Sequence, residues 1–353
     1  MMSNILFFFS TTNIGGAETN ILKLTKEFKN RGHKIYWAFL DNSGPMLQLA
    51  DSKFTHLHFK SNFLRLPFSI LSYYRFIKRN EIECVLNFGI RVEIISRILS
   101  KSAGVKRIIS NIRSTDDWRN SFHTCIDRLT SKSVDVWISN SLAGKQAFHK
   151  REKIPLNKIQ VIYNFVELPR RSDLLKSNLK SGVFRLGILA NILEKKGYLD
   201  LIKISAELER ENIPHIIKYA GRDEMNGLFE KLIEFNGLNA NFDKLGYIRN
   251  KDSFFGDIDI FLLPSYLEGF PTSVLEAISY GKPVVVSNVG GIPEIIKDKK
   301  NGFICEPGDI RGFVSSILEL RNNEVYESIV RNGFLSLKEF EKDLIIAQWE
   351  AHF

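Results

Sequence analysis

The sequence predicts an α/β protein built from two doubly wound, Rossmann-like domains that face each other across a cleft. Length is the first reason: 353 residues exceed what one hydrophobic core usually serves, so two domains of about 150 to 200 residues are expected. Rhythm is the second. Short apolar runs alternate with amphipathic stretches of helical period in both halves, which is the pattern of parallel βαβ units with helices on both faces. The third is a single interruption of that rhythm, a polar stretch over 167–182 that contains Pro169 and has no apolar period.

Taken in order, the run 5–9 reads as a first buried strand, followed by a glycine turn and a helix over 19–31 with Ile21, Leu22, Leu24 and Phe28 at helical spacing. Strand-like runs follow at 34–39, 84–87, 107–110 and 134–139. These make residues 1–166 the first domain, and 167–182 the linker. The second domain, 183–331, restarts with a strand at 184–189, a helix over 198–211, a strand at 215–220, a helix near 228–235 and a strand over 259–264. A helix over 273–280 and a strand over 283–287 continue it. The tail 332–353 reads as amphipathic and helical, with Phe340, Leu344, Ile345 and Trp349 on one side, and is expected to cross back to the first domain. Ligands of such folds bind at the carboxyl ends of the parallel strands.

Composition is that of a soluble globular chain, 44% hydrophobic and 25% charged, which argues against disorder. Cys84, Cys125 and Cys305 show no CxxC spacing, so neither a disulfide framework nor structural zinc is expected and the compartment is expected to be reducing and cytoplasmic. The run 5–9 is too short for a signal peptide core or a membrane span. Charge is uneven: residues 1–170 carry 26 Lys and Arg against 13 Asp and Glu, whereas 171–353 carry 23 against 27. A basic first half suggests an anionic partner. Within it, 59–79 interleaves Phe63, Phe68, Leu71, Tyr73 and Tyr74 with Lys60, Arg65, Arg75, Lys78 and Arg79, which suits a membrane interface; core packing of a helix explains the aromatics equally well. Nucleic acid is not expected as a partner.

The chemistry concentrates after residue 257, where the chain reads DIDIFLLPSYLEGFPTSVLEAISYGKPVVVSNVGGIPEII. A buried strand ends at Pro264. A loop follows with Gly269 and Pro271, and Thr272 or Ser273 is placed to cap the next helix. A strand, loop and helix start of this kind points backbone N–H groups and a positive dipole end at one place, which favours an anion. Glu268 and Glu276 flank it, and a carboxylate accepts two hydrogen bonds side by side, as vicinal sugar hydroxyls require. Ser273 and Glu276 also stand in S-x-x-E spacing, so a capping box is an alternative for Glu276, and a solvated loop position for Glu268.

EGFPTSVLE followed by YGKPVVVSNVGGIPE resembles the signature of glycosyltransferase family 4, retaining enzymes of GT-B fold. The resemblance extends to GGAE at 15–18, IYN at 162–164, KG at 196–197, YAG at 219–221 and LGY at 245–247, strongly after residue 183 and loosely before it. It implies that Glu276 binds the donor ribose and that Glu268, with the backbone of Gly269 and Phe270, holds the donor sugar. Pro271, Thr272 and Ser273 complete that loop. Lys196 would lie against the diphosphate, offsetting charge that builds as the glycosidic bond breaks. Gly15 and Gly16 would let the first domain's backbone approach the same phosphates, and backbone near Tyr247 and Ile248 would contact the base.

Two departures stand out. Where the family places an Arg five residues before the Lys of KG, this chain has Asn191; Lys195 or Arg222, the latter directly after Gly221, is expected to supply the charge, solvent exposure being the alternative for both. Where many relatives carry a His after a first-domain strand, this chain has Arg113, expected on the acceptor side, with an ion pair to Asp116 or Asp117 as its alternative. The D-x-D string of Asp257 and Asp259 leads into a strand and is not expected to bind metal. The seven histidines show no ligand spacing, GxSxG is absent, and GGAE lacks the third glycine of a dinucleotide fingerprint.

The expected activity is metal-independent, retaining transfer of a hexose-type residue from a nucleotide diphosphate sugar of UDP or GDP type to a lipid diphosphate-linked glycan. No cofactor is expected, and the setting is polysaccharide or lipopolysaccharide assembly at the cytoplasmic membrane face. A nucleotide-sugar epimerase, a sugar phosphorylase and a noncatalytic nucleotide-sugar-binding subunit are the alternatives.

Overall fold

The computed structural model describes residues 2–12, 15–40, 44–48, 55–59, 66–113, 121–167, 182–248 and 250–353. The linker stretch 168–181, Lys60, Phe63 and Arg65 of the basic–aromatic segment, and Asp116 and Asp117 lie outside these residues. The chain forms two compact units, one of Met1–Asn164 with Asp343–Phe353 and one of Phe165–Lys342.

Among the described residues the first unit holds seven parallel strands: β1 (Asn4–Phe9), β2 (Lys34–Phe39), β3 (Thr55–His58), β4 (Cys84–Phe88), β5 (Arg107–Ile112), β6 (Val136–Ser139) and β7 (Ile159–Val161). Their spatial order is β3-β2-β1-β4-β5-β6-β7. β1 is apolar at consecutive positions because both sheet faces are covered. Leu6 and Phe8 pack with Tyr73, Ile77 and Val92 on one face, while Phe7 meets Phe28 at 6.2 Å and Phe9 meets Trp37 at 5.5 Å on the other. Successive strand side chains point to opposite faces, so this division follows from the pleat. Order reverses between β1 and β4, leaving their carboxyl ends as the switch point of this sheet.

Right-handed crossovers put the helices Leu66–Arg79, Ile90–Ser102, Ser121–Thr130 and Leu142–Glu152 on one face and Gly16–Asn30 on the other. A fully buried arginine ties the first layer together. Arg97 pairs with Glu93 at 2.5 Å and with Asp127, donates to Ser110 Oγ and Thr130 Oγ1 at 3.0 Å each, and stacks 4.3 Å from the Trp137 ring. Residues 332–353 are not one helix: Asn323–Ser336 passes through a 3₁₀ turn, Leu337–Phe340, into Lys342–Glu350. This last helix belongs to the first unit, where Trp349 and Phe353 meet Phe28 edge to face at 6.4 and 4.9 Å and Arg31 reaches Asp343 at 2.6 Å.

The second unit has six parallel strands among the described residues, β8 (Phe184–Leu189), β9 (His215–Ala220), β10 (Phe242–Gly246), β11 (Ile260–Leu263), β12 (Val284–Ser287) and β13 (Phe303–Cys305). The order β10-β9-β8-β11-β12-β13 puts its switch point between β8 and β11. Both sheets are therefore the Rossmann-like, doubly wound kind that the alternating pattern predicts. No helix among the described residues is long and apolar enough to cross a membrane.

Candidate functional site

In the second unit, the loops that leave adjacent strands β8 and β11 are pressed together, and that contact builds the site. After β8 the chain turns through Glu194–Lys196 to Gly197, at φ +75°, which caps the helix Tyr198–Arg210. A Cβ at Gly197 would stand 1.9 Å from the Pro264 carbonyl oxygen, so only glycine permits the approach. Tyr266 N donates to the Lys195 carbonyl at 2.9 Å across the same seam. Tyr266 Oη donates to Asp200 at 2.6 Å, and that hydrogen bond, with burial second, pushes its phenol up to about 12.

This closeness puts Lys196 Nζ 2.7 Å from Glu268 Oε1, and Ser265 Oγ donates to the same oxygen at 2.8 Å. Glu268 is nearly buried, 6% exposed, while Lys196 keeps 22% of its side chain in solvent. The loop is braced from β12 as well. Gly290, at φ +55°, lies so near that a Cβ there would be 1.9 Å from the Glu268 carbonyl oxygen, and Gly291 N donates to Gly269 O at 2.9 Å. Phe270 is buried, with its ring 5.7 Å from Phe340. The site thus presents a buried carboxylate, a cation at its rim and a helix start.

That helix, Thr272–Ser279, corrects the capping expected of Thr272 or Ser273. Its N-cap is Pro271, with no side-chain cap hydrogen bond, and the Pro271 carbonyl accepts from Val274 N at 3.1 Å. Glu276 does not close a capping box with Ser273. Both its oxygens take Lys251 Nζ, at 2.6 Å each, from the start of the helix Lys251–Gly256. Asn191 donates to Glu224 at 2.6 Å, and its oxygen accepts from Arg222 N at 3.4 Å. Arg222 is exposed and stacks over the exposed Tyr247 ring at 5.1 Å, next to Ile248. Gly221 is held to glycine because a Cβ would meet the Ala190 carbonyl oxygen at 1.9 Å. The Lys195 side chain is exposed.

Asp257 and Asp259 are engaged structurally. Asp259 binds the Arg185 guanidinium at 2.7 and 3.1 Å and its backbone N–H at 3.0 Å, and Asp257 takes Lys218 at 2.7 Å. They precede β11 and so lie at the end of the strand opposite the Ser265–Glu268 loop.

In the first unit, Gly15 caps the helix Gly16–Asn30, and Glu18 reaches back to accept from Gly15 N at 3.0 Å. A Cβ on Gly16 would meet nothing within 4 Å, so this backbone is open to approach. Arg113, just past β5, donates to Asn164 Oδ1 at 3.0 Å and Asn111 Oδ1 at 3.4 Å, with the Phe88 and Trp349 rings 5.6 and 5.9 Å away. Burial pulls its guanidinium down to about 10, with Glu18 acting the other way. Asn164, Lys251 and Gly290 were not singled out from the sequence. The IYN and VGG strings contained two of them; nothing local marked Lys251.

Two family models meet end to end on this chain: "Glycosyltransferase Family 4" matches residues 14–170 and "Glycosyl transferases group 1" residues 170–334. The chain belongs to the family 4 glycosyltransferases and has the GT-B fold. It is 23% identical over 300 residues, 78% of this chain and 77% of the relative, to the Escherichia coli UDP-Gal:alpha-D-GlcNAc-diphosphoundecaprenol alpha-1,3-galactosyltransferase. Among solved structures it resembles Anabaena Alr3699/HepE in complex with UDP, with a TM-score of 0.86 at 18% identity over 99% of this chain and 98% of that one. It also resembles the apo form of the lipopolysaccharide outer core galactosyltransferase WaaB, with a TM-score of 0.78 at 19% identity over 99% and 98% of the two chains.

Proposed function

We propose that this glycosyltransferase moves a hexose-type residue, with retention of anomeric configuration, from a UDP- or GDP-type sugar to a lipid diphosphate-linked glycan. The work is cell-surface polysaccharide assembly at the cytoplasmic membrane face. The observation that carries the reading is the Lys196–Glu268–Ser265 cluster at the switch point of the second sheet, beside the start of the helix Thr272–Ser279. In this reading Glu268 and the backbone of Gly269 and Phe270 hold the sugar. Glu276 takes the ribose hydroxyls. Lys196 and the backbone N–H groups of Thr272 and Ser273, just after Pro271, face the diphosphate.

The bond that breaks joins the anomeric carbon to the diphosphate oxygen. Negative charge then grows on that oxygen, where a fixed ammonium and a helix start stabilise it without reorganisation. The acceptor hydroxyl attacks from the same side, and its proton passes to the departing phosphate oxygen. Lys195 or Arg222 supplies the second cation, and backbone at Tyr247 and Ile248 meets the base. Gly15 and Gly16 approach the phosphates, and Arg113 serves the acceptor side. A divalent ion is not needed in this scheme, because Lys196 brings the charge that a metal would. A UDP-galactose relative that acts on a diphosphoundecaprenol-linked sugar supports the choice of donor and acceptor class.

The test is a panel of UDP-, GDP- and ADP-sugars scored by thermal shift, followed by product analysis with EDTA present. One donor should raise the melting point, since a ligand at a hundred times its Kd adds about 2.7 kcal/mol, and NMR should show an unchanged anomeric configuration. An inverted product, or EDTA-sensitive transfer, refutes this mechanism.

A further inference from the structure

On one face of the first unit, the described helices expose no carboxylate. These four helices, Leu66–Arg79, Ile90–Ser102, Ser121–Thr130 and Leu142–Glu152, contain three acids, Glu93, Asp127 and Glu152. All three are buried; the first two hold Arg97 and the third accepts from Arg151. Apart from buried Arg97, cations of the same helices point outward: Arg75, Lys78, Arg79, Arg91, Lys101 and Arg128 are exposed. Among the described residues, acids stand in the turns leading into β4 and β6, where Glu83 is bound by Lys106 at 2.7 Å, Asp135 accepts from Ile108 N at 2.8 Å, and Glu81 and Asp135 are exposed.

Large apolar side chains share this surface. Phe68 and Leu129 are each 72% exposed and Phe122 is 69% exposed, with Leu71, Tyr74 and Ile98 also in solvent. On Leu66–Arg79 the buried side is Ser69, Tyr73 and Ile77, so core packing accounts for only one stripe of the aromatic segment. The outward side is apolar in its first turns and basic in its last, and Tyr74, Arg75, Phe76, Lys78 and Arg79 line an open groove there. The opposite face of the sheet differs. The tail helix that packs there carries Asp343, whose side chain is 84% exposed.

We propose that this layer is the surface by which the protein docks on an anionic phospholipid bilayer, with Phe68, Leu71 and Tyr74 entering the interface and Arg75, Lys78 and Arg79 meeting lipid phosphates. Apolar side chains beside cations, with no exposed acid on the four helices themselves, are what interfacial binding to anionic lipid requires. The inference deepens the membrane-face reading above and rests on it for its biological sense. It also selects a bilayer over nucleic acid, because protruding apolar side chains add nothing on a phosphate backbone read by charge alone.

The experiment is co-sedimentation of the full chain with phosphatidylcholine vesicles, with and without phosphatidylglycerol, at low and high salt. The protein should pellet with the anionic vesicles and be released by salt. The triple variant Arg75→Gln/Lys78→Gln/Arg79→Gln should lower partitioning on the order of a hundredfold, at about fivefold per cation. Phe68→Ser/Leu71→Ser should lower it too, at salt concentrations where charge is screened. Lys26→Gln/Lys29→Gln/Lys34→Gln, which removes equal charge from other surfaces, should bind nearly as the parent does. No affinity for anionic vesicles, or an equal loss in the control triple, overturns the proposal. Calorimetry with UDP-sugars on the same preparations reads the second unit separately. Retained heat with lost vesicle binding confirms a surface effect, and absent heat with intact vesicle binding overturns the donor reading while leaving the surface standing.

Discussion

Replacing Gly290 by alanine tests whether the loop that carries Glu268 is held by backbone packing. Two effects follow, and they can be separated. At φ +55° an L-residue is strained, by about 1–2 kcal/mol. In addition, the new Cβ would lie 1.9 Å from the Glu268 carbonyl oxygen, so that carbonyl must retreat by about 1.5 Å to reach an ordinary C···O contact of roughly 3.4 Å. Lys196 and Ser265 grip the side chain of the same residue, so the retreat moves the carboxylate relative to them. A misplacement of about 1 Å is worth on the order of a hundredfold in rate. Gly237→Ala is the control: its φ is +68°, and a Cβ there meets nothing within 4 Å. Thermal melts and the rate of nucleoside diphosphate release should be measured for both. Gly237→Ala should lose about 2–8 °C, at 2–4 °C per kcal/mol for a unit of this size, and keep its rate. Gly290→Ala should lose more stability and about a hundredfold in turnover. If the two variants match in both measurements, the bracing argument is wrong.

Lys196→Met should lower kcat by about 10²–10³-fold and lower the melting point, because nearly buried Glu268 loses its ammonium; an unchanged kcat with only a raised KM would remove Lys196 from the bond-breaking step. Arg222→Ala and Lys195→Ala, titrated with the preferred nucleotide, identify the second cation: one of them should weaken affinity about tenfold, as loss of a cation–phosphate contact worth roughly 1.4 kcal/mol would, and a variant with unchanged affinity is excluded from that role. Lys282→Met should stabilise the protein at neutral pH. Burial pulls the Lys282 ammonium down to about 8 from 10.5, Asp259 opposing, so the folded state carries a disfavoured charge that it sheds as pH rises through that window while the unfolded state keeps its proton. The gain over wild type is then up to about 3 kcal/mol near pH 7 and fades towards pH 10; denaturant melts at both pH values should show it, and a pH-independent gain would mean repacking alone.

The two sheets were legible because strands such as β1, β11 and β12 are apolar at consecutive positions and are punctuated by glycine turns. Edge and short strands were not. Thr55–His58 and Phe242–Gly246 are largely half-buried and lack an apolar run, and Ile159–Val161 and Phe303–Cys305 span three residues each. Their pairing comes from neighbours in the sheet, which local composition does not encode. In the same way, Glu93 and Arg97 stand four apart on one helix, yet Asp127 comes thirty residues later, so the buried pair reads in sequence as an ordinary solvated one. Near the site, Glu268 and Glu276 were visible as a pair in a glycine-marked loop. That Lys251 takes both oxygens of Glu276 depends on how the helix Lys251–Gly256 lies against Thr272–Ser279, a relation between segments that no spacing rule states.

Because residues 343–353 complete the first unit, that unit is discontinuous in the chain while the second is contiguous. Synthesis from the amino terminus therefore delivers every residue of the later unit before the earlier one receives the indole and phenyl rings that cover Phe28. The nascent first sheet must persist with that aromatic surface open, and a nick or frameshift near residue 342 would harm the half of the molecule made first.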